Sequence, residues 1–273
     1  MRGDCGMEKT VNGVRCKTVE TEWDVYFDMA MTMLEEIMAH NAKNEKTVMI
    51  VPVGPTQQYP ILAEMINRLN VSLKNVYFFN MDEYMWDPKT VIEKEDPMSF
   101  YGRMKREFYD RVKPELVMPE SQRHFPEPGK EAEYDKMIEE LGGVDLCLGG
   151  LGINGHVAFN EALEPEDSMS ADEFAALNTR VLPITRETRT INAYGYQRGD
   201  LQGMPTWCIT IGMRQIIEAR KIYIALNRPW QAGPVKHALF DKEQGQLPAS
   251  LLRRNANLTY CMMEMIAEGV IDE

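Results

Sequence analysis

Short apolar segments alternate with longer amphipathic segments along the chain, and this alternation predicts a mainly parallel sheet covered by helices. The first amphipathic segment carries apolar residues at steps of three and four, which is typical of a helix with one buried stripe. A second helix is predicted from Tyr59 to Leu69 on the same grounds. The stripe of the first helix is assigned to Trp23, Tyr26, Phe27, Ala30, Met31, Leu34, Ile37 and Met38.

Five short apolar runs predict buried strands, because they are rich in β-branched and aromatic residues and are bounded by turn residues. A short helical piece is expected between the last two. Two segments that mix charges with proline, 85–97 and 164–171, are predicted to be surface loops, the second of them mobile. The predicted strands are 47–53, 75–80, 144–150, 206–212 and 221–226.

The organisation of the chain indicates one domain. A length of 273 residues suits a single large α/β domain, and the sequence has neither an internal repeat nor a low-complexity linker. We therefore expect one α/β domain over residues 1–273, with helices on both faces of the sheet.

The charge of the chain restricts its partners. With 30 Lys plus Arg against 42 Asp plus Glu, the formal net charge is −12, which repels nucleic acid and anionic lipid. No apolar run is long enough to span a bilayer, and the N-terminus lacks the apolar core of a signal peptide. We expect a cytoplasmic protein whose partner is a small molecule or another protein.

The cysteines indicate a reducing compartment. The chain has five, which is an odd number, and no two are spaced as in a CxxC motif. This arrangement argues against a disulfide framework and against a zinc site, so no metal is expected. The five are Cys5, Cys16, Cys147, Cys208 and Cys261.

Three loops are expected to meet at one edge of the sheet. In open α/β sheets, ligands bind beyond the carboxyl ends of the strands. Loops 54–57, 82–84 and 149–161 each follow a predicted central strand. The sequence therefore predicts a binding site where these loops converge.

The polar residues in these loops are ambiguous one by one. Asp82 could be a turn former or helix cap, and Glu161 could be a solvated loop carboxylate. His156 lies in a glycine-rich loop, where packing does not require an imidazole. Together they indicate proton transfer, which needs a base, a histidine that acts near neutral pH and a group that orients it.

Two motifs carry a resemblance to a known family. FNMDEY (79–84) and GGLGINGHVAFNEA (149–162) resemble the glucosamine-6-phosphate deaminase family, also called glucosamine-6-phosphate isomerases, in order and approximate spacing. A weaker similarity extends from VPVGPT to TWCITIG and so covers most of the chain. The resemblance implies a modified Rossmann-like α/β fold. It also implies a metal-free, cofactor-free isomerisation of an aldose to a ketose, with loss of the C2 amine as ammonia.

The resemblance also implies a role for each site residue. His156 matches the histidine that opens the sugar ring, and Asp82 matches the base that moves a proton between C2 and C1. Glu161 matches the carboxylate that assists the histidine. Where the family has aspartate two residues before the histidine, this chain has Asn154, which can accept a hydrogen bond but carries no charge to stabilise an imidazolium. We expect slower ring opening as a result.

Glycines of the same loop are candidates for binding the sugar. Backbone N–H groups at Gly150 and Gly155 could receive sugar hydroxyls or developing oxyanion charge, because glycine lets a ligand approach the chain closely.

The loop that corresponds to the family's phosphate cradle is altered. The family reads approximately Pro-Thr-Gly-Gly-Thr-Pro, with amides and hydroxyls that hold phosphate at a helix N-terminus. Here Gly54 and Thr56 are retained, but Val53 removes a hydroxyl and Pro55 removes an N–H donor. We expect a poorer cradle, with Gly54 and Thr56 still able to bind substrate.

The family's two phosphate-binding cations are also replaced. Tyr194 stands where the family has an arginine, and the family's lysine falls near Trp230 or Gln231. Arg228 and Lys236 lie close in sequence and could compensate. Since a dianion requires positive charge and a tryptophan suits an apolar sugar face, we expect a sugar that is unphosphorylated or carries a different group at C6.

Two other functions remain open. The 6-phosphogluconolactonases, which are sugar-phosphate hydrolases, share the fold and a Gly-His loop but usually lack the AFNE and NMDEY patterns. Sugar-sensing modules of the same fold bind sugar phosphates without turnover, although this chain has no basic helix-turn-helix pattern. Arg214 could be a further ligand contact or a surface residue. Family members range from monomers to hexamers, so a homo-oligomer is possible.

Overall fold

The computed structural model describes residues 7–271, and a sheet of eight strands forms its centre. All neighbouring strands in it are parallel except the first two, which form an antiparallel hairpin. In spatial order the strands are β1 (Glu8–Val11), β2 (Val14–Val19), β12 (Leu258–Met263), β11 (Ile222–Leu226), β8 (Leu146–Gly149), β3 (Thr47–Val51), β4 (Val76–Asn80) and β7 (Arg123–His124).

Helices cover both faces of this sheet. Side chains alternate between the faces of a strand, so Ile50 packs into one apolar cluster and Met49 and Val51 into the other. The predicted α/β class is confirmed. Among residues 7–271 no helix is both long and apolar enough to cross a bilayer. The helices are α1 (Glu22–Ala42), α2 (Gln58–Leu69), α3 (Phe100–Met104), α4 (Glu131–Glu140), α5 (Ala171–Ala175), α6 (Arg186–Tyr196), α7 (Met213–Ile217), α8 (Ala232–Phe240) and α9 (Glu264–Ala267).

A second, antiparallel sheet of four strands corrects two predictions. Residues 82–87 form a strand rather than a loop, and Met85 is fully buried opposite Trp207. The strand predicted at 206–212 forms, but in this second sheet. Its partners are distant in sequence, so no local pattern signals the pairing. In spatial order the strands are β6 (Thr90–Val91), β5 (Asp82–Asp87), β10 (Trp207–Thr210) and β9 (Arg180–Pro183).

The two sheets are joined at a single residue between β4 and β5. The Met81 N–H donates to the Val51 carbonyl oxygen at the end of β3, and the Met81 carbonyl oxygen accepts from Ile211 N–H just after β10. This connection places the start of the antiparallel sheet directly over the carboxyl ends of the parallel strands.

The first helix forms as predicted, but its buried stripe was partly wrong. Thr21 and Asp24 form a capping box at its start. Trp23, Phe27 and Met38 are 59%, 43% and 47% exposed, respectively. The helix is apolar around more than one face, so periodicity alone could not identify which of two overlapping stripes meets the sheet. The buried residues are Val25, Tyr26, Met29, Ala30, Met33, Leu34 and Ile37.

The remaining predicted elements largely form. Helix α2 matches, although Leu69 is 58% exposed at its end. Helix α7 is the short helical piece expected before β11. Residues 164–170 are exposed outside regular structure, and their mobility stays a prediction. Cys5 lies outside the described residues, and the other four cysteines are buried free thiols.

Two methionines on α1 test the corrected stripe. Met29→Ala removes a fully buried side chain and should lower the free energy of unfolding by about 2–5 kcal/mol. Met38→Ala, at a site 47% exposed, should change it by about 0.5 kcal/mol or less. Urea unfolding of both variants checks the pair, and equal losses would contradict the burial assigned to this helix.

Candidate active site

The three loops predicted to converge line one cavity of about 600 Å³ at the carboxyl ends of β3, β4 and β8. Gly54, Thr56, Asp82, Gly150 and His156 all face it. A volume of this size suits a small organic ligand. The prediction that these loops meet is confirmed.

Asp82 and Glu83 are the first two residues of β5, and their side chains point to opposite faces of the strand, as those of successive strand residues do. Asp82 is 6% exposed and lines the cavity. Burial, together with the adjacent charge of Glu83, raises the pKa of Asp82 well above its usual range. Glu83 instead accepts hydrogen bonds from the backbone N–H groups of Phe100 and Tyr101 and from the Ser99 hydroxyl, so it fixes the start of α3.

His156 is held through one ring nitrogen. Its Nδ1 lies 2.7 Å from Asn154 Oδ1, 3.2 Å from Thr188 Oγ1 and 3.4 Å from Glu161 Oε2. The ring packs over Gly152, where an added Cβ would lie 1.9 Å from His156 Cε1. The sequence signal of Gly152 was its place in the glycine-rich loop, but only the structure shows that the imidazole fills the space of its missing side chain.

Glu161 lies behind His156 rather than on the cavity wall, and both of its oxygens are engaged. Oε1 accepts from Thr185 N–H at 3.2 Å, and Oε2 accepts from Asn154 Nδ2 at 2.9 Å and from Thr188 Oγ1 at 3.0 Å. Burial raises the pKa of Glu161, but the hydrogen bond and charge of His156 and the two side-chain donors outweigh burial, so this pKa lies below its usual range. Glu161 is therefore the stable anion of the site.

The two candidate glycines differ. Gly150 lines the cavity beside Gly54, as predicted. Gly155 does not: it has a φ of +79°, and an added Cβ would lie 2.4 Å from Leu247 Cδ1. Its assignment as a substrate-binding residue was wrong, because its small size serves a tight turn packed against Leu247.

The altered loop leads into the first turn of α2. Val53 and Pro55 line the cavity together with Gly54 and Thr56. The Gln58 side-chain amide donates to the Pro55 carbonyl oxygen at 2.8 Å. No side chain caps the helix at Gln57, so its first amides are not satisfied by a capping side chain.

The same cavity carries the residues that stand near the family's cations. Tyr194, Arg228, Trp230 and Gln231 all line it. Arg228 also forms an ion pair with Glu22 at 3.4 Å.

Two cations considered from the sequence lie elsewhere. Lys236 does not line the cavity, and its ammonium donates to the Gly269 carbonyl oxygen at 3.2 Å, so the expected compensation from it is wrong. Arg214 pairs with Glu139 at 3.0 Å, which makes it a surface residue rather than a ligand contact.

Several cavity residues were missed from the sequence. Arg103 on α3 adds a second guanidinium to the lining. Ile191, Asn192 and Gly195 extend the wall along α6. The segment around Arg103 carries no motif that marks it as part of a site. On α6 the sequence singled out Tyr194 alone, and only the tertiary fold shows that its neighbours also line the cavity.

Among residues 7–271 no group of three or more histidine, cysteine, aspartate or glutamate side chains is arranged so that it could hold a metal ion.

Comparison with known proteins finds several relatives that are named glucosamine-6-phosphate deaminase. No protein-family model matches the chain. A glucosamine-6-phosphate deaminase of Phocaeicola vulgatus is 31% identical over 209 residues, which are 75% of this chain and 74% of that protein.

Solved structures show the same fold. A monomeric glucosamine-6-phosphate deaminase superposes with a TM-score of 0.79 at 22% identity, over 93% of this chain and 98% of that one. A 6-phosphogluconolactonase of Trypanosoma brucei superposes with a TM-score of 0.66 at 17% identity, over 97% of this chain and 100% of that one.

The two carboxylates should affect stability in opposite directions. The folded-state pKa of Asp82 is raised, so its ionisation destabilises the fold as pH rises above the unfolded value of about 3.9. Asp82→Asn should therefore match the native chain at low pH and exceed it in free energy of unfolding at pH 7.

Glu161→Gln is the matched substitution for which the opposite effect on stability is expected. The folded-state pKa of Glu161 is lowered, so its ionised form stabilises the fold above the unfolded pKa, and this contribution is lost as pH falls through the folded value. The variant should be less stable than the native chain at pH 7, and the deficit should shrink on acidification. Urea unfolding at several pH values checks both signs, and a shared sign would refute the assignment.

Proposed function

This chain belongs to the glucosamine-6-phosphate deaminase family, and we propose that it converts an amino sugar from aldose to ketose with release of the C2 amine as ammonia. One observation carries this proposal: Asp82 and His156 line the same cavity, and Glu161 is hydrogen-bonded behind the histidine. This arrangement supplies the base, the proton shuttle and the orienting group that the reaction needs.

The proposed reaction begins with ring opening. His156 moves a proton from the anomeric hydroxyl to the ring oxygen, which frees the C1 carbonyl. Because Nδ1 is hydrogen-bonded to Asn154, Nε2 is the ring nitrogen that carries out this proton transfer. Glu161 stabilises the imidazolium that forms in between.

Asp82 then carries out the isomerisation. Its carboxylate takes the proton from C2 and returns it to C1 through an enol intermediate. The resulting C2 imine adds water and releases ammonia, which leaves the ketose. The raised pKa of Asp82 supports this role, because a base transfers protons best when its pKa approaches the working pH.

The substrate terminus is proposed to differ from glucosamine 6-phosphate. Val53 and Pro55 contribute no hydroxyl and no N–H, respectively, to the cradle at α2, and Tyr194 and Trp230 line the cavity in place of cations. We propose an amino sugar that is unphosphorylated or carries another group at C6. Arg103 and Arg228 line the cavity, and we propose that their guanidinium groups contact the group at C6.

Net charge and cysteine burial support a cytoplasmic enzyme that acts on a small molecule. The net charge of −12 favours a small-molecule substrate over nucleic acid or a lipid surface. The four described cysteines are buried free thiols, which fits a reducing cytoplasm.

A substrate panel tests the function. Amino sugars without a C6 phosphate should release ammonia with a lower KM than glucosamine 6-phosphate, and Asp82→Asn should reduce kcat by about 10²–10⁴. An enzyme-coupled ammonia assay measures both. Ordinary saturation by glucosamine 6-phosphate at micromolar levels would contradict the altered terminus. Acid release from a sugar lactone without ammonia would favour a lactonase, and thermal stabilisation by sugars without turnover would favour a sensor.

Asn154→Asp tests how the uncharged amide of Asn154 affects the charge of the site. Asn154 Nδ2 donates to Glu161 at 2.9 Å, so an aspartate here would place two carboxylates against each other beside His156. The added charge should displace the pH–rate profile and lower the free energy of unfolding at pH 7. If the profiles of the native chain and the variant coincide, the amide has no part in setting the charge of the site.

A further inference from the structure

One buried hydroxyl on α6 contacts both members of the histidine–glutamate pair. Thr188 is fully buried, and its Oγ1 lies 3.0 Å from Glu161 Oε2 and 3.2 Å from His156 Nδ1. The Thr185 hydroxyl lies 3.1 Å from it on the other side. None of the proposed proton transfers involves this threonine, so its place in the cluster requires a separate explanation.

The proton positions in this cluster follow from the chemistry of its members. An ionised carboxylate only accepts hydrogen bonds. Asn154 therefore turns its NH₂ toward Glu161 and its carbonyl oxygen toward His156, and Thr188 donates to Glu161 while it accepts from Thr185. The neutral imidazole must then carry its proton on Nδ1.

Two series of hydrogen bonds therefore end at the Glu161 carboxylate. One runs from Thr185 through Thr188, and the other runs from His156 through Asn154. Among the described residues His156 Nε2 has no hydrogen-bond partner, so it is the nitrogen left for a bound sugar. Loss of the Thr188 hydroxyl would remove one of the two side-chain donors at Glu161 Oε2 and free that carboxylate to turn toward His156.

Thr188 lies on the face of α6 that lines the cavity. Ile191, Asn192 and Gly195 follow it by three, four and seven residues, spacings that share one helix face, and all three line the cavity. Asn192 Nδ2 donates to the Tyr84 hydroxyl at 3.0 Å, which ties this face to strand β5. A sugar that contacts α6 therefore contacts the same rigid element that holds Glu161.

We propose that Thr188 is a positioning residue that couples the substrate-facing wall of α6 to the orientation of Glu161 and His156. The inference rests on the proposed deaminase function and deepens it. In this arrangement helix α6 determines both where the sugar binds and how the His156 imidazole is oriented. The coupling matters because small displacements between reacting groups lower the rate strongly.

Three threonine variants test this role. Thr188→Val keeps the shape of the side chain but removes the hydroxyl, and it should lower kcat roughly tenfold or more while KM changes by less than about twofold. Thr188→Ser keeps the hydroxyl and should restore most of kcat. Thr190→Val is the matched control, since Thr190 is exposed on the same helix and its hydroxyl bonds only to the Arg186 carbonyl oxygen.

The pH dependence of stability separates positioning from simple packing. Thr188 is one of the donors that keep the pKa of Glu161 low, so the loss of stability in Thr188→Val should be largest where Glu161 is ionised and should shrink on acidification. The charged and titratable groups near Glu161 include His156 and the Cys208 thiol on β10, which Asp82 and Arg180 face in turn, and burial keeps the pKa of Cys208 well above its usual range. Thr188→Ser and Thr190→Val should show no such pH-dependent loss.

A measurement on the native chain does not depend on turnover. Nitrogen-15 NMR of the His156 ring should find the neutral tautomer protonated on Nδ1. Thr188→Val should keep this tautomer, because Asn154 Oδ1 and Glu161 Oε2 both still accept from Nδ1, but it should shift the Nδ1 resonance as the freed carboxylate turns toward the ring. An Nε2-protonated ring in the native chain would overturn the proposal. So would native kcat together with a pH-independent change of stability in Thr188→Val, or equal losses of kcat in Thr188→Val and Thr188→Ser. If no amino sugar releases ammonia, the deaminase proposal fails, while the tautomer still decides the positioning role.

Discussion

The site depends on one buried anion and the donors that surround it. Glu161 is 7% exposed, and a carboxylate so placed is stable only if its oxygens are hydrogen-bonded. Its donors come from three places: the loop after β8, the first turn of α6 and the N-cap of that helix. Because these segments must all face one carboxylate, the anion fixes how the glycine-rich loop and α6 meet.

The second constraint is the change of sheet at Met81. Strand β4 ends in the parallel sheet, and β5 begins the antiparallel one a single residue later. The alternation of β5 then sends Asp82 into the cavity and Glu83 toward α3, whose first amides it holds. Two adjacent carboxyl groups thus act separately: Asp82 provides the titrating group, and Glu83 anchors a cavity wall.

Sequence reasoning recovered what is local or carried by a motif. Four strands of the central sheet (β3, β4, β8 and β11) and the convergence of the three loops were predictable from apolar runs and topology, and the family resemblance grouped Asp82, His156 and Glu161. Strands β1, β2, β7 and β12 were not predicted. The antiparallel sheet was missed because its pairings, such as Met85 with Trp207, join distant segments. Thr188 and Arg103 were missed for a related reason, since only folding brings Arg103 to the cavity and Thr188 to Glu161 and His156. Gly155 was assigned wrongly because a glycine needed for a turn and one needed for ligand approach look alike in a sequence.

Gly152 has a consequence for reading related chains. The His156 imidazole occupies the volume that any side chain at position 152 would need, since even a methyl group there would overlap the ring. The two positions therefore cannot vary independently. A relative that keeps the histidine but carries alanine or a larger residue at the equivalent of 152 must have swung its imidazole elsewhere, and the retained histidine alone would then be a misleading marker of shared chemistry.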